Sequence, residues 1–365
     1  MLRRNSLCIG MGILLACQTQ AATMYGTLSG STQPVWNTAE PAQVGSGITP
    51  SYWDVVMPLT TSEWYPGSLW EDSLADTVTF KDKESGEAFD ASIQWLGVQY
   101  NMGSASGKFT KYEYAGAHDV GNGIVANCGT GGVSNPISTL SQAGGQCVSN
   151  TGFLENALEQ VTPFQFIRPI VSLPDLNTKI QGKSSGRYTA VAQYQPVYFY
   201  KSGSGALTYT VTSKPLIITI DYTAAYFVDA RISKGEDGVI TPIYDKANNR
   251  VTGQHAYTID VQGLFPDGVK MTFDRGNTYE MRNAASAEPL PYNIDCPLCK
   301  GRRSIVKDGA LVDPGTDGNE AVTTLTTDKE GVIRFDLVTS YDVDGDTLES
   351  GTYEGNFNVI FEANL

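Results

Sequence analysis

Apolar residues in this chain come mostly in short alternating runs, separated by Gly, Asp, Asn, Ser and Pro. That is the period of half-buried strands rather than of amphipathic helices. The last such run, 357–365, has an apolar residue at every second position: Phe357, Val359, Phe361, Ala363 and Leu365. Earlier runs predict strands over 188–200 and 207–211, joined by Lys201-Ser-Gly-Ser-Gly205 as a hairpin connection. Pro196 cannot donate to a ladder, which puts an edge or a bulge inside the first of these. Further strands are predicted at 216–222, 256–261, 269–273, 332–338 and 353–361. Residues 92–100 alternate on Ile93 and Trp95 and then change phase to Val98 and Tyr100, which predicts a bulge at Gly97. The one predicted helix is short, 152–160. Many short strands at this spacing with polar turns predict an all-β chain of two β-sandwiches in series.

A weak internal copy supports the division. Ser185-Gly186-Arg187-Tyr188 and Ser350-Gly351-Thr352-Tyr353 both open as Ser-Gly-X-Tyr, and a break falls between them near Lys214-Pro215. The predicted arrangement is 1–22 as an export signal, 23–214 as a first domain and 215–365 as a second.

The signal rests on Arg3 and Arg4, the apolar run LCIGMGILLA, and small residues up to Ala21 and Ala22. The mature chain is expected to start near Ala22 or Thr23. The stretch Leu14-Leu15-Ala16-Cys17 also resembles a bacterial lipobox, which keeps a lipoprotein anchored through Cys17 open as an alternative.

Removing the signal leaves Cys128, Cys147, Cys296 and Cys299, an even number in an exported chain, which points to disulfides. The pairing expected is Cys128 with Cys147 and Cys296 with Cys299. A redox reading of Cys-Pro-Leu-Cys lacks the βαβ context it needs.

Charge excludes one class of partner. The whole chain carries −14, with 10 Lys+Arg against 15 Asp+Glu over 22–214 and 13 against 24 over 215–365. Nucleic acid is therefore not expected on either half.

Candidate chemistry is sparse. His118 and His255 lie in different halves, and no Gly-X-Ser-X-Gly or His-Glu-X-X-His stretch accompanies them. Acidic pairs such as Glu71-Asp72 are ordinary for surface loops. The run Asp342-Val-Asp344-Gly345-Asp346-Thr-Leu-Glu349 resembles part of a calcium loop, but its glycine comes early and no helix follows; an acidic hairpin tip is the better reading. No catalytic residue, metal site or cofactor is assigned, and the chain is read as non-enzymatic.

Aromatic residues say more. All five tryptophans lie within the first 95 residues. Trp95 suits a sandwich core, whereas Trp53, Trp64, Tyr65 and Trp70 occupy a polar, turn-rich segment and are candidates for binding. Lys108, Lys111 and Arg187 are candidates for a basic site that takes an anionic glycan or sulfated lipid.

The end of the chain, Gly351-Thr-Tyr353-Glu-Gly355-Asn-Phe357-Asn-Val359-Ile-Phe361, resembles the final strand of subunits that the chaperone–usher pathway assembles into bacterial fimbriae. The middle of the chain, through Ser-Gly-Arg187-Tyr188, resembles the junction of two-domain tip adhesins, with the colonisation-factor fimbriae of enterotoxigenic enterobacteria as the nearest group. The resemblance implies immunoglobulin-like sandwiches, the second an incomplete pilin-type domain whose groove is bordered by Tyr353, Phe357, Val359 and Phe361. It implies a periplasmic chaperone, an outer-membrane usher and a major fimbrial subunit donating a strand as partners, and a host glycan or glycolipid as receptor. The first residues, Thr23-Met-Tyr-Gly-Thr-Leu-Ser-Gly, are Gly-interrupted and do not resemble a donor arm. That implies export through the periplasm to a fimbrial tip at the cell surface. A structural minor pilin or fimbrial initiator without receptor binding is the alternative, and an exported carbohydrate-acting enzyme a more remote one.

Overall fold

The structure is a computed structural model. It describes residues 21–364 apart from 43, 57–58, 71, 73, 114–124, 127, 129–132, 135, 142–146, 286–287 and 313–317. Cys17, Glu71, His118 and Leu365 lie outside the described residues.

The chain is all-β, as its alternation predicts, and its apolar side chains gather into separate cores. One large core draws on strands between Ala22 and Tyr222, and a second on residues from Val251 onward. A smaller cluster of Tyr65, Val148, Val197 and Phe199 lies on the other face of a first-domain sheet.

In the first domain one sheet runs, in spatial order, Val35–Trp36, Ala22–Ser29, Lys214–Thr223, Gly186–Tyr194, Thr77–Asp82 and Ala88–Ser92. A second sheet is centred on Gln94–Asn101 and Phe166–Ser172, and a third on Glu63–Leu69. Ala22–Ser29 pairs in parallel with Lys214–Thr223 over its whole length, from Ala22 opposite Leu216 to Ser29 opposite Thr223. The first and last strands of the domain therefore close its sheet. The break expected at Lys214-Pro215 moves accordingly: Leu216, Ile218, Ile220 and Tyr222 point into the first core, and the second domain begins with Tyr226–Lys234.

Other expectations shift for local reasons. The run 188–200 is two strands, Gly186–Tyr194 and Pro196–Lys201, in different sheets. Pro196 sits beside a register shift against Glu63–Leu69, and Pro196–Lys201 does form the predicted hairpin with Leu207–Val211. The predicted bulge is present one residue early: Ile170 faces Gly97 and Val171 faces Trp95, so Leu96 is extra. Residues 152–160 are not a helix. Thr151–Glu155 is a strand held between Phe109–Glu113 and Glu63–Leu69. Gly152 belongs there because a Cβ would lie 2.5 Å from the Tyr65 ring. Both disulfides join the expected partners, Cys128 with Cys147 and Cys296 with Cys299.

In the second domain the main sheet is built on two long strands, Arg250–Leu264 and Gly331–Asp344, paired along 14 positions. Tyr226–Lys234 is its edge. Across the core lies a three-stranded sheet in the order Glu320–Val322, Val269–Phe273, Val359–Ala363. The domains meet where Ser31 donates from its backbone N–H and its hydroxyl to the Asp267 carboxylate, at 2.9 and 2.5 Å.

Candidate functional site

The terminal strand is shorter than its alternation suggests. Only Val359–Ala363 is laddered, antiparallel to Val269–Phe273, with Phe361 opposite Met271. Val359, Phe361 and Ala363 pack on the second core, and Phe361 lies 6.2 Å from Phe335 between ring centres. Ile360 and Glu362 face outward. Residues 350–358 run without a ladder, held by the isolated bridge of Glu354 to Arg282. The partial copy therefore has no structural counterpart: Ser185–Tyr188 enters a strand with Tyr188 buried, while Gly351, at φ +150°, keeps the second copy irregular.

Among the described residues Val359–Ala363 has one paired edge and one open edge, and so does Tyr226–Lys234, which pairs with Arg250–Leu264. These two strands approach one another, yet no ladder joins them among the described residues. Tyr226, Phe227, Val228 and Ile232 are left 38 to 52% exposed on the outer strand. Unpaired backbone groups beside apolar side chains make an edge that another strand is able to join.

Between the segments that adjoin these two strands opens a cleft of about 1010 Å³. One wall is the segment after the outer strand, with Val239, Ile240 and Tyr244; the other is the segment before the terminal strand, with Leu348, Tyr353 and Phe357. Tyr257, Tyr292 and Tyr341 also line it. Phe357 lies edge-on to Tyr257 at 5.8 Å. Tyr292 donates its hydroxyl to the Asn356 carbonyl at 3.1 Å, and burial pushes its pKa up, so it remains a neutral donor. The expected groove residues thus fall into two pairs: Tyr353 and Phe357 in the wall, Val359 and Phe361 in the edge strand. The other wall and the outer strand were not singled out from sequence. Their signal was present in Tyr226-Phe-Val228 and in the apolar residues after the Gly235-Glu-Asp-Gly238 turn.

His255 is half-buried, with Nε2 2.8 Å from the Gly235 carbonyl oxygen. The acidic run is internally committed: Asp342 pairs with Arg250 at 2.7 Å, and Asp344 accepts from the Asp346 N–H and from Asn249. Among the described residues no group of three or more potential ligands is gathered for a metal ion.

The binding candidates of the first domain are scattered. Trp64 is fully buried, stacked on Phe153 at 4.9 Å, and Tyr65 is 1% exposed, hydrogen-bonded to Glu63 and Tyr112. Neither offers a ring face to a ligand. Their strand, Glu63–Leu69, is covered on both faces, so turn-rich flanks concealed a central strand. Trp70 is partly exposed and stacks on Tyr209. Trp53 is partly exposed and lies over the buried Arg168 guanidinium at 4.1 Å, which itself pairs with Glu40 at 2.8 Å. Lys108 and Lys111 are exposed; Lys108 ends the 3-10 turn Gly103–Lys108, and Lys111 lies in the following strand, Phe109–Glu113, of the third sheet. Arg187 belongs to the first sheet and forms a two-point bond with Asp221 at 2.6 and 2.9 Å. The three cations are thus carried by a turn and by strands of two different sheets, and Arg187 already has a counter-ion.

No protein-family model and no curated protein matches this sequence. Solved structures similar to it are of chaperone–usher tip adhesins. One is a chaperone–tip adhesin complex of CFA/I fimbriae biogenesis, 12% identical, covering 94% of this chain and 97% of that one, with a TM-score of 0.25. Another is the CsuC-CsuE chaperone–tip adhesion subunit pre-assembly complex of the archaic Csu pili of Acinetobacter baumannii, 13% identical, covering 94% and 98%, TM-score 0.24. A third is CfaE, the adhesive subunit of CFA/I fimbria of enterotoxigenic Escherichia coli, 12% identical, covering 94% and 92%, TM-score 0.28. Superpositions this loose transfer no residue roles.

Proposed function

We propose that this chain is an exported fimbrial subunit of the tip-adhesin kind. Its second domain receives a strand, first from a periplasmic chaperone and then from a neighbouring subunit, and its first domain meets a host glycan or glycolipid. The observation that carries the first half is the pair of strand edges that approach without pairing, with a cleft of about 1010 Å³ between the segment that follows one and the segment that precedes the other. Strand addition would satisfy the backbone groups of Val359–Ala363 and cover Phe357 and Phe361. The outer-membrane usher follows as the assembly site for a subunit that such a chaperone delivers.

A place at the tip is supported by the other end of the chain. Ala22–Ser29, the segment that would have to serve as a donor arm, is consumed inside its own domain, with Ala22, Met24 and Leu28 buried. With Ala22–Ser29 laddered in its own sheet, that segment is not free to be given to a neighbour.

The test is periplasmic expression of the full chain with and without a donor-strand segment of alternating apolar residues appended after Leu365. The appended strand should raise the soluble yield and protect the amides of Val359–Ala363 from exchange. Equal yield and equal exchange would overturn the reading. Receptor binding is tested by attachment of cells carrying the assembled fibre, comparing Lys108→Ala/Lys111→Ala, Arg187→Ala and Trp53→Ala. A chain whose fibres assemble but attach no better than fibres lacking it is the structural minor pilin.

A further inference from the structure

Asp54 is a carboxylate with no business being where it is unless something charged joins it. It lies in the short strand Asp54–Val55, on the edge of the second sheet, and is 1% exposed. Oδ2 accepts a hydrogen bond from the Tyr194 hydroxyl at 2.5 Å, and Tyr194 is itself fully buried. Oδ1 has no hydrogen-bond partner. Leaving a buried carboxylate oxygen unpaired is costly. The titratable groups facing it are Tyr194 and Lys214, whose ammonium is occupied by the Val55 carbonyl at 2.6 Å. Burial outweighs both, and Asp54 titrates above the usual carboxylate range.

The strand register brings Ala22 to the same place: it lies opposite Leu216, two residues from Lys214, whose ammonium reaches the Val55 carbonyl next to Asp54, and the Ala22 backbone is among the groups that act on the Asp54 carboxylate. Ala22 is 1% exposed and is the first residue of the strand that closes the domain. In the sequence, Thr19-Gln20-Ala21 stands before it, a small residue at each of the two positions that a leader peptidase reads. Hydrolysis of the Ala21–Ala22 bond adds the hydroxyl of water to the Ala21 carbonyl and leaves Ala22 an amine, which takes up a proton. A secondary amide with a single N–H becomes an ammonium with three, carrying the positive charge that Asp54 lacks.

We propose that the export leader is removed between Ala21 and Ala22 and that the new α-ammonium of Ala22 forms a buried ion pair with Asp54 Oδ1, so that leader removal completes the first domain. The pair ties the start of Ala22–Ser29 to the second sheet, beside the closing strand Lys214–Thr223. The inference rests on the export signal and on the first domain alone, and it stands or falls separately from the strand-acceptor reading of the second.

Three measurements on the full chain purified from the periplasm test it. Mass spectrometry should find Ala22 as the first residue; a start at Thr23, or an acylated Cys17, overturns the proposal. Native protein treated with cyanate should have its α-amine modified at least tenfold more slowly than the same chain in denaturant; equal rates overturn it. Melting should then be compared with a chain carrying Gly-Ser between Ala21 and Ala22, so that cleavage leaves residues ahead of Ala22. The displaced amine should lower the first-domain melting temperature by roughly 5–10 °C, and the two chains should melt together once both carry Asp54→Asn. An unchanged melting temperature with Asp54 present overturns the proposal. If Asp54→Asn does not fold, the cyanate rates alone decide.

Discussion

Arg334 holds Asp260 through two parallel bonds, Nε to Oδ1 at 2.6 Å and Nη2 to Oδ2 at 2.7 Å. The two residues face each other on the long strands of the second domain. The Ser233 hydroxyl adds a third donor at 3.1 Å. Arg334 first, then the hydroxyl and the charge of Arg231, pull the Asp260 pKa down to about 2. A folded pKa below the unfolded value means that this contribution is full above about pH 4 and is lost as pH falls through about 2. Asp260→Asn should therefore flatten the acid limb of second-domain unfolding between pH 4 and 2. Followed by the second-domain transition in calorimetry at constant ionic strength, an unaltered acid limb would refute the assignment.

Trp64 separates packing from recognition. Its indole is fully buried and its Nε1 has no partner, so the ring is present for its volume. Trp64→Ala should cost about 3–5 kcal/mol and Trp64→Phe about 1–2 kcal/mol, because the second removes the unpaired N–H while opening only a small cavity. Attachment by Trp64→Phe cells should match wild type when fibre number is equal.

The two disulfides should matter unequally. Cys128–Cys147 closes a loop of sequence separation 19 and Cys296–Cys299 one of 3. On chain-entropy grounds, replacing the first pair by alanine should cost about 3 kcal/mol and the second markedly less. Denaturant titration of the two double variants orders them.

On the terminal strand, alternate positions should respond oppositely. Phe361 packs against the core, and Phe361→Ala in the chain with an appended donor strand should lose about 1–3 kcal/mol. Ile360 is 62% exposed, and Ile360→Lys should change stability by less than about 0.5 kcal/mol while reducing aggregation of the uncovered chain. Guanidinium unfolding and light scattering distinguish the two.

Alternation made the strands legible because a period of two survives wherever one face is buried. Val269–Phe273 lies where its pattern put it, and the phase change near Gly97 marked a real bulge. The pattern failed where tertiary partners decide. Thr151–Glu155 reads as a helix only if the strands on either side of it are unknown. Trp64 looked like a surface aromatic because sequence does not reveal that its strand is covered on both faces. The boundary at Lys214 was misplaced because parallel pairing with residues 194 positions earlier leaves no local trace. In the site, the edge strand was readable from its end position, while its counterpart, Tyr226–Lys234, lacks a clean alternation to announce it.

That parallel pairing sets a schedule. Ala22–Ser29 is made early, but its longest ladder is with the last strand of the domain. Closure between such distant segments is slow, since the entropy of the intervening chain is spent before any contact rewards it. For that interval Met24 and Leu28 stay in water. The unfinished domain is thus one whose core stays open at its first strand until its last strand arrives.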